Sequence, residues 1–288
     1  MAHDPAVIRR RRALLAAAVV LLVALGAVAL AIVLSGGHKK ALPPAPPPPL
    51  KPFKIVFPEG FTRAQMAERV GVVAKIAARE HRGTVHLNAQ AYLAASRRAW
   101  IPCLDHAQTN LEGYLFPATY EFIAATTSRQ LVAMQIRAFC KNWPSVGMAY
   151  ARSKNLTVHD VVTIASMIER EVSVPRERPL IAAVIYNRLH AQMPLGIDAT
   201  LRYGLHIAPT QSILKSQLQN PTPYNTRLHD GLPPTPIANP GLAALHAAAH
   251  PAKVGYLFYV RKPGRHDDFF TSSSTDFYRY LCQHGYGC

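Results

Sequence analysis

The chain has 288 residues with 32 lysines and arginines against 16 acidic residues, a formal net charge of +16 and a pI near 10.0. That length allows one large domain or two modest ones once the N-terminal segment is set aside. The basic balance would ordinarily raise nucleic-acid binding, but the charges are scattered, with no aromatic-interleaved stripe, helix-turn-helix pattern or RNP-like string; no nucleic-acid partner is expected, and attraction to anionic envelope polymers or lipid, or a plain solvated basic surface, is the simpler reading.

In chain order, residues 1–12 read as a cytoplasmic tail ending in the four consecutive arginines Arg9 to Arg12. Residues 13–35 are uncharged and rich in Ala, Val and Leu, long enough at about 1.5 Å per residue to span about 30 Å of hydrocarbon. They predict a single transmembrane helix in the inner (cytoplasmic) membrane, oriented N-terminus inside by the positive charges before it. A cleavable signal peptide is the competing reading, disfavoured by the length of the apolar run. Residues 36–52 follow as a proline-rich linker, where missing backbone donors favour an extended polyproline spacer; an SH3-type ligand is its alternative use.

From Phe53 the pattern alternates at Ile55 and Phe57, turns at Pro58-Glu59-Gly60 and takes up a helical period through Met66, Val70 and Val73, with Thr62 and Gln65 spaced as a capping box. A second helical stretch is expected over 89–99. The string LEGYLFPATYEF, 111–122, reads as an aromatic strand-like segment broken by Pro117, suited to stacking on sugar rings or simply to a core. Helices are expected over Ser128–Trp143, Val161–Val172 and Glu177–His190. Met193–Gly204 reads as turn-prone, and Asn220–Gly241, with six prolines, as a long ordered loop of the kind that carries function.

The chemistry is sought in VVTIASMIEREV, 161–172. At about 100° per residue, Ile164, Ile168, Val161 and Val172 define a buried stripe; Glu171 falls about 20° from Ile164 and flanks it, whereas Glu169 lies about 140° round, toward the polar side. A carboxyl held against apolar neighbours is disfavoured as an anion and keeps its proton nearer neutrality, which makes Glu171 the better general-acid candidate. Both residues being ordinary helix-end glutamates paired with nearby arginines is the bland alternative. Tyr224, Asn225 and Thr226 in the long loop offer a stacking face with amide and hydroxyl groups, and Asn187, Asp198 and Thr200 lie in the segments just before it. Among the cysteines, Cys103, Cys140, Cys282 and Cys288 permit three pairings in an oxidising compartment, and Cys282 with Cys288 would close a short loop. No cysteine and histidine spacing indicates zinc.

The strings FPEGFT, EGYLFPATYEF, ASMIEREV, VIYNRL, MPLGIDATLRYG, YNTRLHDGLPPTPIANPG and ALHAAAHPAKVGYLFYV, in that order after one apolar N-terminal helix, resemble the endolytic murein transglycosylase, or YceG-like, family. The resemblance covers nearly all of the chain beyond the linker. It implies an α+β fold: a small LysM-like module over 53–108 and an α+β lytic transglycosylase catalytic domain over 109–288. It also implies a lyase that cuts nascent peptidoglycan glycan strands internally between N-acetylmuramic acid and N-acetylglucosamine, leaves 1,6-anhydro ends and so terminates strand elongation, with peptidoglycan synthases as possible partners and no cofactor or metal. The second acid of the ExE pair is the family's catalytic one, which maps onto Glu171, with Glu169 assisting and Asn187, Asp198, Thr200, Tyr224, Asn225 and Thr226 as the substrate-binding wall. A single acid suffices for such a reaction, because the muramyl C6 hydroxyl replaces the water or second carboxylate of a standard glycosidase. Val172 stands where a small residue is common, and Ala118 replaces a common acidic residue. Two other classes are weighed against this: a noncatalytic peptidoglycan-binding envelope protein, and a metal-dependent hydrolase suggested by His246 and His250 in HAAAH and by His266 beside Asp267 and Asp268. HAAAH lacks the glutamate of the HExxH motif.

Overall fold

The computed structural model describes residues 5–34, 52–81 and 84–286. Two compact units divide the chain, Met1–Pro49 and Leu50–Cys288. In the first, α1 runs over Pro5–Leu34, and its stretch Arg9–Val33, 25 residues long, is long and apolar enough to cross a membrane. Leu, Val and Ile side chains along it are exposed rather than packed, as a helix that buries itself in lipid requires. The linker expected over 36–52 lies outside the described residues except for Pro52.

The second unit begins with β1 (Phe53–Val56), then α2 (Arg63–His81) and α3 (Ala89–Ala95). Thr62 caps the start of α2 as its spacing predicts: its hydroxyl accepts from the Gln65 amide at 3.2 Å, and the Gln65 side chain accepts from the Thr62 amide at 2.9 Å. The helix expected over 89–99 stops at Ala95, because Ser96 caps it and Ala99–Ile101 turns into β2, paired antiparallel with β3 (His106–Gln108). Next, β4 (Thr119–Phe122) returns to pair antiparallel with β1, Phe53 opposite Phe122 and Val56 opposite Thr119. A strand from the segment expected to open the catalytic domain therefore pairs with a strand from the segment expected to form the LysM-like module.

Helix α4 (Ser128–Asn142) starts on a capping box between Thr127 and Gln130, and a disulfide joins Cys140 on it to Cys103, 37 residues away. Cys288 lies outside the described residues. After α5 (Ala149–Ser153) come α6 (Val158–Glu171), α7 (Arg178–His190), α8 (Asp198–Gly204) and α9 (Lys215–Leu218). The turn-prone reading of 193–204 is thus corrected in its second half, where Asp198 opens a short helix. Helix α10 (Leu242–Ala249), the hairpin β5 (Phe258–Arg261) and β6 (Asp268–Thr271), and α11 (Ser274–Gln283) complete the unit.

At the centre lies α6. Its residues 161–168 are all buried, with Ile164, Met167 and Ile168 at 0% exposure; each such side chain stabilises the fold by about 1.5–3 kcal/mol. Neighbouring α7 and α10 pack on it, so α6 is covered from several sides rather than along one stripe.

Candidate active site

Helix α6 is anchored at its start by a third capping box, with the Thr157 amide donating to Asp160 Oδ2 at 2.8 Å and the Asp160 amide to the Thr157 hydroxyl at 3.2 Å. Its end is abrupt: Glu171 is the last helical residue and Val172 is extended, φ −75° and ψ 126°. Midway, Ser166 gives its hydroxyl proton to the Thr163 carbonyl at 2.7 Å and accepts the Ile237 amide at 3.0 Å. That bond pins the proline-rich segment before α10 against the helix that carries both acids.

Glu171 is half-buried and faces the hairpin. The Tyr259 hydroxyl, on β5, donates to Glu171 Oε2 at 3.1 Å. Burial pushes the Glu171 carboxyl above its ordinary range; the Tyr259 bond and the Ala199 amide at the start of α8 pull the other way, while Asp198 and Asp268 add to the rise. Tyr259 in turn is pushed well above the usual phenol range, first by burial and then by Glu171 itself, and so stays a neutral donor.

Glu169 differs from its expected place on the polar side. Its side chain is only 9% exposed, because the turn at Gly60 and the start of α10 close over it. Its Oε2 accepts the Gly241 amide at 3.1 Å, and Arg178 lies 3.9 Å from Oε1. Burial raises its pKa, the Gly241 bond opposes this, the Glu59 carboxylate adds to the rise, and Arg178 and Arg170 oppose it. Gly60 at φ +77° lets the turn pass against the Glu169 side chain, a conformation L side chains rarely adopt. A Cβ at 241 would meet the carboxylate end of the exposed Glu59 side chain.

The six residues expected to line the substrate divide. Asp198 sits beside Glu171 and is ion-paired with Arg227. The others spend their polar groups inside the fold. Asn187 donates both amide protons to main-chain carbonyls, of Val254 and Tyr256, each at 2.9 Å. Thr200 is fully buried, bonded to the Ile197 carbonyl at 2.7 Å and to the Thr226 hydroxyl at 3.0 Å, and Thr226 also accepts the Ile197 amide at 3.0 Å. Asn225, likewise buried, donates to the carbonyls of Leu218 at 3.0 Å and Asn220 at 2.8 Å. Tyr224 shares a hydrogen bond with Thr235 at 2.8 Å and meets Tyr203 edge-on.

Several partners carried no signal in the sequence. Besides Tyr259, Arg188 donates to the carbonyls of Leu257 at 2.6 Å and Leu195 at 2.8 Å, and lies over the Phe258 ring. Together with Asn187 it clamps the segment that leads into β5. Glu112, 2% exposed, accepts the Arg63 amide at 3.0 Å and 3.1 Å, the Asn239 side chain at 2.8 Å and the Tyr203 hydroxyl at 3.1 Å. Burial outweighs these donors and pushes its carboxyl up to about 7. Asn239 also accepts the Gly113 and Leu115 amides at 2.9 and 3.0 Å and donates to the Phe61 carbonyl at 2.9 Å. The strings FPEGFT, EGYLFP and PIANPG thus meet at one buried knot. A cleft of about 390 Å³ opens over it, reached by Arg63, Arg170, Ala199, Arg202 and Tyr203. A larger groove of about 670 Å³, between Tyr150, Lys154, His159 and Asn187, opens at the start of α6, about 18 Å along the helix from Glu171.

Two of the histidines that suggested a metal have other partners: His250 Nε2 lies 2.7 Å from the Val146 carbonyl and His246 Nε2 3.5 Å from Ser145 Oγ. Asp267 is ion-paired with Lys262 at 2.6 Å and Arg265 at 2.8 Å.

The family model described as the YceG-like family matches residues 39–282. A protein named endolytic murein transglycosylase from Bacillus subtilis (strain 168) is 41% identical over 157 residues, covering 53% of this chain and 42% of that protein. One of the same name from Streptococcus pneumoniae (strain ATCC BAA-255 / R6) is 31% identical over 252 residues, covering 80% of this chain and 44% of that protein. The chain therefore spans less than half the length of these curated relatives. A crystal structure of a yceG-like protein from Listeria monocytogenes aligns with a TM-score of 0.66 at 27% identity, over 79% of this chain and 75% of that one. With the matching strings gathered around one buried acidic helix end, and a family model that spans most of its length, the chain belongs to the YceG-like family.

Proposed function

We propose that this protein is a lytic transglycosylase of peptidoglycan, in which Glu171 delivers a proton to the glycosidic oxygen between N-acetylmuramic acid and N-acetylglucosamine. As the C1–O bond breaks, the muramyl C6 oxygen bonds to C1 and its proton passes to the Glu171 carboxylate, leaving a 1,6-anhydro end and a regenerated acid. The observation that carries this reading is a carboxyl raised by burial at the open end of a buried helix, with a fixed phenol on one oxygen. Glu169 supports it electrostatically from the far side of α6. Asp198 is the wall residue best placed to meet the sugar. Asn187, Thr200, Asn225 and Thr226 shape the wall from behind, and Tyr224 props it through Tyr203.

In this reading, α1 anchors the chain in the cytoplasmic membrane with its N-terminus inside and the second unit outside, as Arg9 to Arg12 favour. The LysM-like module holds the strand. The expected module, 53–108, and the expected catalytic domain, 109–288, share one two-stranded sheet, β1 with β4. Synthases that extend strands are the partners such an activity would serve.

The test is mass spectrometry of products from glycan strands treated with the full chain in detergent. Anhydro-muramyl ends that vanish in Glu171→Gln support the proposal. Reducing ends would make the protein a hydrolase, and strand binding without turnover would make it a binding protein.

A further inference from the structure

We propose that Tyr259 is a positioning residue for the proton transfer: its phenol holds Glu171 Oε2, so that Oε1 is the oxygen that gives up the proton and takes it back. This rests on the transglycosylase reading of Glu171. The geometry is built rather than incidental. Along β5 the side chains alternate, and Tyr259 and Arg261 share the face turned to the end of α6, where Arg261 donates to Ser173 Oγ at 2.6 Å and to Asp268 at 3.1 Å. The Asp268 amide donates to Glu177 Oε1 at 3.3 Å. On the approach to the strand, Asn187 and Arg188 fix the carbonyls of residues 254, 256 and 257. Phe270, opposite Tyr259 in the β5–β6 register, packs on the ring at 6.0 Å between centroids. The phenol is therefore aimed before substrate arrives, which is when a donor is worth most.

The protons balance without Tyr259 losing its own. Oε1–H goes to the leaving glycosidic oxygen as C1–O breaks, the C6 hydroxyl proton returns to Oε1 as C6–O–C1 forms, and the O–H of Tyr259 points at Oε2 throughout. The phenol favours the carboxylate over the acid and limits how far burial raises Glu171. The other charged groups facing the pair are Asp198 on α8, ion-paired with Arg227, Asp268 on β6, ion-paired with Arg261, and Arg188 on α7, which opposes the rise at Tyr259. None of them changes in the variants used.

The experiment is the pH profile of kcat/KM for release of anhydro-muropeptides by the full chain in detergent, for the wild type, Glu171→Gln, Tyr259→Phe and a chain with 3-fluorotyrosine at 259. Tyr259→Phe keeps the ring packing; it should lose about tenfold in kcat/KM and move the alkaline limb, where Glu171 loses its proton, up by about one pH unit, since the anion has lost a donor. The fluorinated phenol is a stronger donor and should move that limb down. Both limbs staying at the wild-type position while Glu171→Gln is inactive would overturn the role of Tyr259 alone. Full activity in Glu171→Gln would overturn the reading beneath it.

Discussion

Glu112 makes a strong and counter-intuitive prediction: this protein should lose stability as pH rises through the weakly acidic range. Four donor contacts converge on its carboxylate, which taken alone would favour the anion. Burial at 2% exposure outweighs them, and the carboxyl rises from 4.5 to about 7. A carboxyl raised in the folded state binds its proton more tightly there than in the unfolded chain. Its contribution is therefore complete below about 4.5 and is lost as pH climbs toward 7. That interval, at about 1.4 kcal/mol per pH unit, corresponds to about 3 kcal/mol. Glu112→Gln presents a permanently neutral group of the same shape and should flatten this part of the profile. Glu169 and Glu171, also raised, leave a slope of the same sign in both proteins, so the difference between the two profiles is the quantity of interest. Urea unfolding of the full chain in detergent, followed through Trp143 stacked on Phe139, measures it from pH 4.5 to 8. A Glu112→Gln profile parallel to the wild type, or a wild type that gains stability across this range, would mean that the donors win over burial and the reasoning is wrong.

Three further outcomes are expected. Asn187→Ala leaves two carbonyls without their donor and should cost about 1–3 kcal/mol by thermal unfolding; if Asn187 acts as a clamp, kcat falls with KM little changed, and a rise in KM alone would mark it as a sugar contact instead. Gly241→Ala sets a methyl group against the Glu59 carboxylate, the free end of an exposed side chain that can swing aside, so a loss of less than about 1 kcal/mol by thermal unfolding is expected; a loss of several kcal/mol would mean that Glu59 is held in place. Paired Cys103→Ser and Cys140→Ser releases a loop of 37 residues and should lower stability by about 4 kcal/mol on loop-entropy grounds, read by comparing oxidised wild type and double variant in urea.

Much of the helical frame was legible because it is written in local signals. The Thr62 and Gln65 capping box, the run 161–172 and the long apolar N-terminal helix each follow from period and composition; the first two appear within a few residues of their expected limits, while the N-terminal helix begins at Pro5, eight residues before the expected start at 13, because the arginine run continues the helix. What failed to show was contact at long range. A helical wheel placed Glu169 on a polar face because it assumes a single partner; α10 and the Gly60 turn supply a second one, from residues 72 and 109 positions away. Tyr224, Asn225 and Thr226 looked like sugar contacts by residue type, and type cannot reveal that Asn225 is consumed by carbonyls of its own loop and Thr226 by Ile197 and Thr200 at the start of α8. Tyr259 sat inside a recognisable string with nothing local to mark it, since its meaning comes from a helix end 88 positions earlier.

In the proposed mechanism, two positions on α6 separate a proton donor from a supporting charge. Carbonyls without partners gather at a helix C-terminus and disfavour a nearby anion by about 0.3–1 kcal/mol. Both Glu169 and Glu171 lie in that last turn, and burial raises both. What differs is the answer each receives. At about 100° per residue they point about 200° apart, so Glu169 reaches Gly241, whose amide precedes α10 at the positive end of that helix, with Arg178 close by. Its negative charge is met by a second helix dipole and a guanidinium. Glu171 has no ion pair among the described residues; it meets a neutral phenol on one oxygen and the carboxylates of Asp198 and Asp268 around it. An acid so placed gains from holding its proton until a leaving oxygen takes it, and the same two carboxylates favour its reprotonation afterward. Exchanging the environments rather than the residues, by moving a cation beside Glu171, would disable the site while leaving both glutamates in place.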